Sequence, residues 1–357
     1  MEDKKTNILD QAKELYELNG YELHAVPGHE GGRNEIYICT LGGEKKYVLR
    51  ISATGDRTEE DYLAETEFVH YLAENGAPVA DVIPSKCGKL VECMIAEQDA
   101  ATESAVAGDI AVAGDAAAAG MPAFVSLFAF AKGMLMYDNG YRYREGAPLT
   151  EYFYNTGKAL GAIHRMAKDF TPKHRRPDYF DKFNMDYIGQ LIPDEFAELK
   201  AAIADRIRQF TELPQTLDNY GLVHFDFCDG NYHVDMSNGD VTAFDFDNCC
   251  YCWYMFDLAH LWTHGVGWFQ HESDVNRRRQ GMDWYFSYIL DGYRSETAVS
   301  EEELSKLTLY IDMTIIESIV DEFECAAREG EDVDPGDIED DAECLINGIP
   351  YGGFFEE

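Results

Sequence analysis

Basic residues are scarce in this chain of 357 residues, because 29 lysines and arginines stand against 67 aspartates and glutamates and give a formal charge of −38. A surface this acidic repels nucleic acid and anionic membranes, so we expect neither as a partner. Two explanations of the acidity stay open at this point. It is either an adaptation for solubility or salt tolerance, or it includes an acidic pocket for a cationic substrate.

Long apolar runs are also missing. The sequence contains no stretch of about 18 apolar residues, which predicts that no segment spans a membrane. The acidic, amphipathic N-terminus does not resemble a signal peptide. The nine cysteines do not follow the framework of a small secreted domain, which predicts reduced thiols in a cytoplasmic protein.

The spacing of apolar residues changes along the chain. After a helix predicted at 6–20, alternating segments with turn glycines indicate an antiparallel sheet of hairpins, followed by a helix at 58–75. Three strand-like segments follow, two before residues 96–121 and one after them, and then helical spacing dominates, interrupted by one β-rich region at 221–247. The later helices are predicted at 150–168, 193–211, 282–295 and 301–327.

These patterns predict two domains and a tail. We expect an N-terminal lobe at 1–131, carrying a flexible insertion of alanine and acidic residues at 96–121, and a C-terminal lobe at 132–327. Residues 328–357 would form an acidic tail. The segment 321–343 contains twelve acids and one arginine, which favours a solvated or loosely ordered structure.

The chemically informative segment reads HFDFCDGN, followed by a turn and FDFDN. It places Asp226 two residues after His224, Asn231 five residues further, and Asp245 beyond a hairpin that brings the polar residues to one end of a small sheet. Phosphoryl transfer needs oxygen ligands for divalent cations and a carboxylate that takes the proton of the acceptor hydroxyl. The spacing H-x-D-x-x-x-x-N with a later Asp matches the catalytic loop of protein kinases.

These motifs resemble those of the aminoglycoside phosphotransferase and choline kinase superfamily, in which HGDLHPGN is usual. The resemblance implies an α+β, two-lobed, protein-kinase-like fold with a small antiparallel-sheet N-lobe and a larger, mainly helical C-lobe. It implies that Asp226 is the catalytic base and that Asn231 and Asp245 hold Mg²⁺, with His224 supporting the loop. Phe225 departs from the family pattern, which has glycine after the histidine. The segment after Asp245 is more similar to uncharacterised bacterial and homoserine-kinase-like members than to resistance enzymes.

The resemblance extends to the nucleotide-binding half. GGRNEIYIC is similar to the glycine-rich loop, so Gly31 and Gly32 would let the backbone approach phosphates. KYVLRIS places Arg50 where the family carries the basic residue that reaches the α/β-phosphates. Glu65 is the expected partner of Arg50, with Glu67 as the alternative. ATP is the implied co-substrate, and GTP stays open.

The implied function is a kinase that moves the γ-phosphate of MgATP to a hydroxyl of a small molecule. The acceptor would be an aminoglycoside, an amino alcohol, a homoserine-like compound or a sugar, and the enzyme a monomer or homodimer. A protein serine/threonine kinase and a nucleotide-binding pseudokinase are the alternatives. No APE-type segment follows Asp245, which disfavours the first, and all three catalytic polar residues are present, which disfavours the second.

Three other features admit more than one interpretation. The CC-x-C cluster lacks a second ligand pair, so buried thiols are expected rather than a zinc site. A histidine pair at i, i+4 lacks the HExxH pattern, which favours core or pocket-wall positions. Asp257 is expected to accept hydrogen bonds that stabilise the catalytic loop. The cysteines and histidines concerned are Cys249, Cys250, Cys252, His260 and His264.

Overall fold

The computed structural model describes residues 2–28, 34–53, 55, 57–95 and 122–353. Gly31 and Gly32, and the insertion predicted at 96–121, lie outside the described residues. The chain divides into two units, residues 1–131 with 171–175 and residues 132–170 with 176–357.

The first unit contains a six-stranded antiparallel sheet. Its strands are β1 (Glu22–Ala25), β2 (Asn34–Leu41), β3 (Glu44–Ser52), β4 (Val82–Ile83), β5 (Glu92–Ile95) and β6 (Pro122–Ala129). They lie in the order β1-β2-β3-β6-β4, with β5 also paired to β6. The antiparallel sheet predicted from the alternating segments is confirmed.

Two helices belong to this unit, α1 (Glu2–Leu15) and α2 (Glu59–Glu74). Apolar residues of α1 form one core cluster with the sheet, in which Ala12 and Leu49 are fully buried. Helix α2 begins at a capping box, where the side chains of Thr58 and Asp61 each accept a hydrogen bond from the other's backbone N–H. The cap and the buried face together position the residues of α2 relative to β3.

The second unit is mainly helical. Its helices are α3 (Leu149–Ala167), α4 (Tyr179–Lys182), α5 (Met185–Leu191), α6 (Ala197–Thr211), α7 (Tyr254–His264), α8 (Val275–Arg294), α9 (Glu301–Leu304), α10 (Leu307–Glu329) and α11 (Pro335–Asn347). Two small antiparallel sheets pair β7 (Tyr220–Val223) with β10 (Cys250–Trp253), and β8 (Tyr232–Val234) with β9 (Val241–Ala243).

Helices α3 and α8 cross at unusually short range because each contributes a glycine. A Cβ atom on Gly157 would lie 1.9 Å from the carbonyl oxygen of Ile289, and one on Gly292 would lie 1.9 Å from that of Tyr154. No side chain fits at either position, so the two helices pack backbone against backbone.

The acidic segment near the C-terminus differs from its prediction. Instead of being loosely ordered, residues 321–343 belong mostly to α10 and α11, and α11 buries Ile338 and Leu345. Most of the acidic side chains are exposed, as expected for solvated positions. The charge count concealed the few apolar residues that hold α11, so of the two alternatives the loosely ordered segment is wrong and the solvated one agrees with the structure.

Other predicted boundaries also shift. The helix predicted at 301–327 is two helices, and the one predicted at 282–295 begins at Val275, where Asp274 caps it. Cys249, Cys250 and Cys252 are buried free thiols, as predicted. None of the helices in the described ranges combines the length and the apolar character needed to cross a bilayer.

Candidate active site

The β8–β9 hairpin brings Asn231 and Asp245 to the same end of its small sheet. Asn231 immediately precedes β8, and Asp245 follows β9 by two residues. The backbone N–H of Phe244 donates to the carbonyl oxygen of Asn231 at 2.9 Å, which extends the pairing beyond Tyr232 and Ala243. The hairpin predicted from the sequence therefore juxtaposes the two candidate metal ligands.

Asn231 is fixed by Asp226. Its side-chain nitrogen Nδ2 donates to the Asp226 carboxylate at 2.8 Å and to the Asp226 backbone carbonyl at 2.9 Å. Because both partners are acceptors, the amide can be oriented in only one way. The amide oxygen of Asn231 is consequently directed away from Asp226, and it is the atom suited to a cation.

Asp257, on α7, holds the loop that carries Asp226. Its carboxylate accepts the backbone N–H groups of His224 at 2.8 Å and Phe225 at 2.9 Å, and it lies 3.0 Å from the Nε2 atom of His164. Burial raises the pKa of Asp257, but hydrogen bonding to His164 and the nearby histidine charges outweigh burial and lower it below its usual value. The prediction that Asp257 stabilises the catalytic loop is confirmed.

The loop also makes contact with the strand that precedes Asp245. The Nε2 atom of His224 lies 3.0 Å from the carbonyl oxygen of Phe244, and the His224 ring packs against Phe246 with centroids 4.3 Å apart. His224 therefore supports the loop, as the family resemblance implied. It ties the Asp226 segment to the Asp245 segment.

Phe225 adopts a backbone conformation that favours glycine, with φ at +74°. Such a conformation costs a residue with a side chain on the order of 1–2 kcal/mol. Two features offset this cost: the hydrogen bond to Asp257, and stacking of the ring on Phe256 at 4.4 Å with an interplanar angle of 8°. Phenylalanine at this position therefore keeps the positive φ that glycine would adopt in the family. Aromatic packing offsets the cost that glycine avoids through its conformational freedom.

The electrostatics of Asp226 suit a proton acceptor. Burial raises the pKa of Asp226 above its usual value, while the charge of His224 and the hydrogen bond from Asn231 partly oppose this. Glu317 of α10 lies close enough to interact with it, and burial together with the charges of Asp321 and Asp226 holds the pKa of Glu317 well above its ordinary value. The carboxyl group of Glu317 therefore lies near that of Asp226.

The candidate metal ligands fit a cation that also binds phosphate. Within the described residues no group of three histidine, cysteine, aspartate or glutamate side chains forms a metal cluster. Asp245 is exposed and has a left-handed backbone conformation with φ at +64°, one residue after the backbone contact between Phe244 and Asn231. Mg²⁺ is commonly held by one or two such oxygen ligands, with waters and substrate phosphates completing its coordination.

In the first unit, the predicted pair of Arg50 and Glu65 is formed. The guanidinium of Arg50 on β3 donates two hydrogen bonds to the Glu65 carboxylate on α2, at 2.8 and 2.6 Å, and both residues are buried. Glu67 instead accepts the backbone N–H groups of Lys173 and His174 at 3.0 and 3.2 Å. The geometry thus selects Glu65 over Glu67 as the partner of Arg50.

Some supporting residues escaped the sequence analysis. Arg176 is buried and donates to the backbone carbonyls of Asp247 and Cys249, each at 2.6 Å, which holds the segment after Asp245. His164 is buried between Asp257 and Tyr293. Sequence spacing assigned no role to either residue, and only their buried polar contacts reveal one. Of the histidine pair, His264 is exposed near Asp226, as a pocket-wall residue would be.

The order of these elements matches a known family over most of the chain. A model of the APH phosphotransferase enzyme family matches residues 24–295. The chain belongs to this family. The prediction of a phosphotransferase enzyme, made from the catalytic motif, is confirmed by that membership.

Similar proteins cover most of the chain as well. Amicoumacin kinase of Bacillus subtilis (strain 168) is 25% identical over 292 residues, which are 81% of this chain and 76% of that protein. A solved amicoumacin kinase in complex with AMP-PNP, Ca²⁺ and Ami has a TM-score of 0.74 at 20% identity, covering 97% of this chain and 94% of its own. A microcompartment-associated aminopropanol kinase has a TM-score of 0.63 at 17% identity, with 96% and 94% covered. The fold is protein-kinase-like, as predicted.

Proposed function

We propose that this APH-family enzyme transfers the γ-phosphate of ATP, with Mg²⁺, to a hydroxyl group of a small molecule that carries an amine. The hydrogen bond from Asn231 to Asp226 is the observation that carries the proposal. It joins the candidate base and a candidate metal ligand in one rigid unit. The relatives named as amicoumacin kinase and aminopropanol kinase support the small-molecule acceptor.

Asp226 would orient the acceptor hydroxyl and take its proton. Its raised pKa makes the ionised carboxylate a stronger base than a solvent-exposed aspartate. The Asp226 backbone carbonyl fixes the Asn231 amide, and that amide in turn restrains the Asp226 carboxylate through its other hydrogen bond. Catalysis of this kind depends mainly on positioning, because the phosphoryl group needs little covalent help from the protein.

Asn231 and Asp245 would hold Mg²⁺ through an amide oxygen and a carboxylate. When bound, the cation neutralises charge on the phosphate oxygens. The solved amicoumacin kinase contains AMP-PNP and Ca²⁺, which supports use of a nucleoside triphosphate and a divalent cation. The choice of Mg²⁺ rests on the hard oxygen ligands, and the choice of ATP on that neighbour.

Arg50 would bind the α/β-phosphates, with Glu65 fixing the direction of its guanidinium. Arginine suits this role because its planar guanidinium carries several N–H donors, so that some can bind phosphate while others bind Glu65. Glycines 31 and 32 are proposed to let the backbone approach the phosphates, on the basis of the sequence resemblance alone. These assignments define the nucleotide-binding half of the proposed enzyme.

The chain after Asp245 argues against a protein substrate. Only four residues separate Asp245 from the start of β10 at Cys250, and α7 begins at Tyr254. Protein kinases place an activation segment after the corresponding aspartate. Here Arg176 fixes the connection through two hydrogen bonds. A small-molecule acceptor is therefore the better proposal.

An amine on the acceptor follows from the charges around Asp226. Glu317 and Asp321 lie on α10, and the pKa of Glu317 is raised first by burial and then by the charges of Asp321 and Asp226. Lys182 forms ion pairs with Asp321 at 3.4 Å and with Glu324 at 3.1 Å, and so offsets part of the charge. A bound ammonium group would stabilise the ionised form of Glu317 further.

An acceptor panel tests this proposal. ATP consumption is measured with amino alcohols and hydroxylated amine antibiotics, and with neutral analogues in which hydroxyl replaces the amine. We expect turnover of amine-bearing acceptors well above that without acceptor, and a raised KM for them in Glu317→Gln. Glu322→Gln is the matched control, because Glu322 is exposed on the same helix. Equal turnover of neutral and amine-bearing acceptors would refute the amine specificity, and no turnover of any acceptor would refute the kinase assignment.

A further inference from the structure

A cavity of about 400 Å³ lies in the second unit, and none of the proposed catalytic or metal-binding residues lines it. Its walls come from the end of α3, the loop at 215–217, strand β7, Tyr251 of β10 and Tyr254 at the start of α7. The volume lies in the range of roughly 300–1,000 Å³ that is usual for small-molecule sites. The cavity is therefore large enough for a ligand of its own.

The walls are rich in flat, apolar surface. Tyr220, Tyr251 and Tyr254 line the cavity together with Phe170 and Leu222. Aromatic walls of this kind favour a planar ligand, since rings stack or meet edge to face at short range. A ligand with a flat apolar face, such as an aromatic ring, is therefore favoured over a strongly hydrated one.

Tyr254 contributes a hydroxyl group that lacks a hydrogen-bond partner within the described residues. The residue is 3% exposed, and its oxygen would lie 2.1 Å from a Cβ atom on Gly221, so only glycine permits this approach. Burial raises the pKa of Tyr254, which keeps the hydroxyl protonated as a donor. Since this oxygen is shielded, a ligand in the cavity would meet the ring of Tyr254 rather than its hydroxyl group.

Lys168 brings a positive charge to the same wall. Its ammonium lies 5.5 Å from the centroid of the Tyr254 ring and donates to the Thr297 hydroxyl at 3.1 Å. Among the described residues no carboxylate is within ion-pair distance of this ammonium, although the Asp218 carboxylate lies near enough to interact with its charge. Because the side chain is half-buried, an anion reaching it would gain a charge-assisted hydrogen bond.

We propose that this cavity is an effector site for a small aromatic carboxylate. The ring would lie among Tyr220, Tyr251 and Tyr254, and the carboxylate would accept a hydrogen bond from the ammonium group of Lys168. Nothing in the proposed phosphotransfer reaction uses these groups. The site would accordingly bind its ligand whether or not the acceptor assignment is correct.

One wall of the cavity is in contact with the residues that hold the catalytic loop. The ring of Tyr254 packs on that of His164 with centroids 4.7 Å apart, and His164 lies 3.0 Å from the Asp257 carboxylate that holds the loop. Strand β7, which forms another wall, runs directly into His224. A ligand that displaces Tyr254 would therefore alter the loop, and we expect it to change kcat in a saturable way.

Calorimetry with benzoate and phenylacetate, in the absence of nucleotide and acceptor, tests the site on the full chain. Benzamide and phenylacetamide are the matched neutral probes. We expect saturable benzoate binding that Lys168→Gln weakens by about tenfold or more, as expected for loss of a charged hydrogen bond. Lys168→Arg should restore it, and benzamide binding should change little. Leu217→Trp, at the exposed rim of the cavity, should weaken both probes.

The catalytic variant Asp226→Asn separates this site from the active site. It should bind benzoate as the wild type does while losing phosphate transfer. Benzoate should change the kcat of the wild type and leave that of Lys168→Gln unaffected. The proposal is overturned if no aromatic carboxylate binds, if binding is indifferent to both Lys168→Gln and Leu217→Trp, or if bound benzoate leaves kcat unchanged. A melting temperature for each variant identifies any loss of folding. If Lys168→Gln is destabilised, benzoate binding by Lys168→Arg decides whether the positive charge is what the ligand needs.

Discussion

The side-chain amide of Asn231 donates to the carboxylate of Asp226 at 2.8 Å, so the candidate base and a candidate metal ligand are in direct contact. This hydrogen bond favours the ionised carboxylate and partly offsets the effect of burial. The nitrogen of the Asn231 amide therefore lowers the pKa of the candidate base, and the oxygen of the same amide is available to the cation. The arrangement explains why both residue types are needed at this spacing.

The pH dependence of kcat/KM should show this balance. Asp226 must be ionised to take a proton, and its pKa is raised, so activity should fall on acidification at a pH above the usual aspartate value of about 3.9. Replacing the donor by a second carboxylate in Asn231→Asp should raise the pKa of Asp226 further and move the acid limb to higher pH. Profiles of kcat/KM against pH at saturating Mg²⁺ measure the acid limb of the wild type and that of Asn231→Asp. A limb that stays fixed or moves to lower pH in the variant contradicts this assignment.

The pair of Arg50 and Glu65 should matter for both stability and nucleotide binding. Glu65→Gln leaves the Arg50 charge buried without its counter-ion, which should cost about 3–5 kcal/mol of unfolding free energy and raise the KM for ATP. Glu67→Gln keeps an acceptor for the backbone of residues 173 and 174, and should cost about 1 kcal/mol or less. Urea denaturation and ATP kinetics provide the measurements. Equal losses in the two variants would count against the assigned pairing.

The stabilities of the alanine and glycine variants at Phe225 should follow the reverse of their usual order. Phe225→Ala loses the stack on Phe256 and keeps the positive φ, whereas Phe225→Gly loses the same stack but relieves the strained backbone. We expect glycine to be less destabilising than alanine by about 1 kcal/mol, the reverse of the usual order inside regular structure. Denaturant unfolding of the two variants measures the difference. If alanine proves the more stable, the backbone at 225 is not strained.

The short crossing of α3 and α8 gives a test of the fold. Gly157→Ala would push a methyl group to within 1.9 Å of the Ile289 carbonyl, so the helices must separate and the protein should lose about 1–3 kcal/mol. Gly189→Ala on α5 meets no atom within 4 Å and should be neutral or stabilising by up to about 1 kcal/mol. Thermal unfolding compares the two. A neutral Gly157→Ala would mean that this backbone contact is not made.

The local motifs were the predictable part of this protein. The alternation of the N-terminal strands and the loop-and-hairpin pattern around Asp226 are encoded within short segments, and the structure contains both. The choice of Glu65 over Glu67 also followed from helical phase, because residues on one face of α2 point toward β3. Local spacing was enough wherever neighbouring residues act together.

Long-range packing was the part that the sequence did not reveal. Arg176 reaches the carbonyls of residues 247 and 249 across more than seventy positions of the chain, and His164 reaches Asp257 across ninety-three. Helix α11 is held by a few apolar residues inside an acidic segment whose composition favours disorder. Such contacts depend on tertiary partners, and composition or periodicity carries no record of them.

The most direct test of the central claim is phosphorus NMR of the reaction with a turned-over acceptor, for the wild type and for Asp226→Asn. Asp240→Asn, an exposed position in the β8–β9 turn, is the matched control. The wild type and the control should produce ADP and a phosphate ester on the acceptor, while Asp226→Asn should form the ester about 10²–10⁴-fold more slowly. Undiminished ester formation by Asp226→Asn would contradict the account.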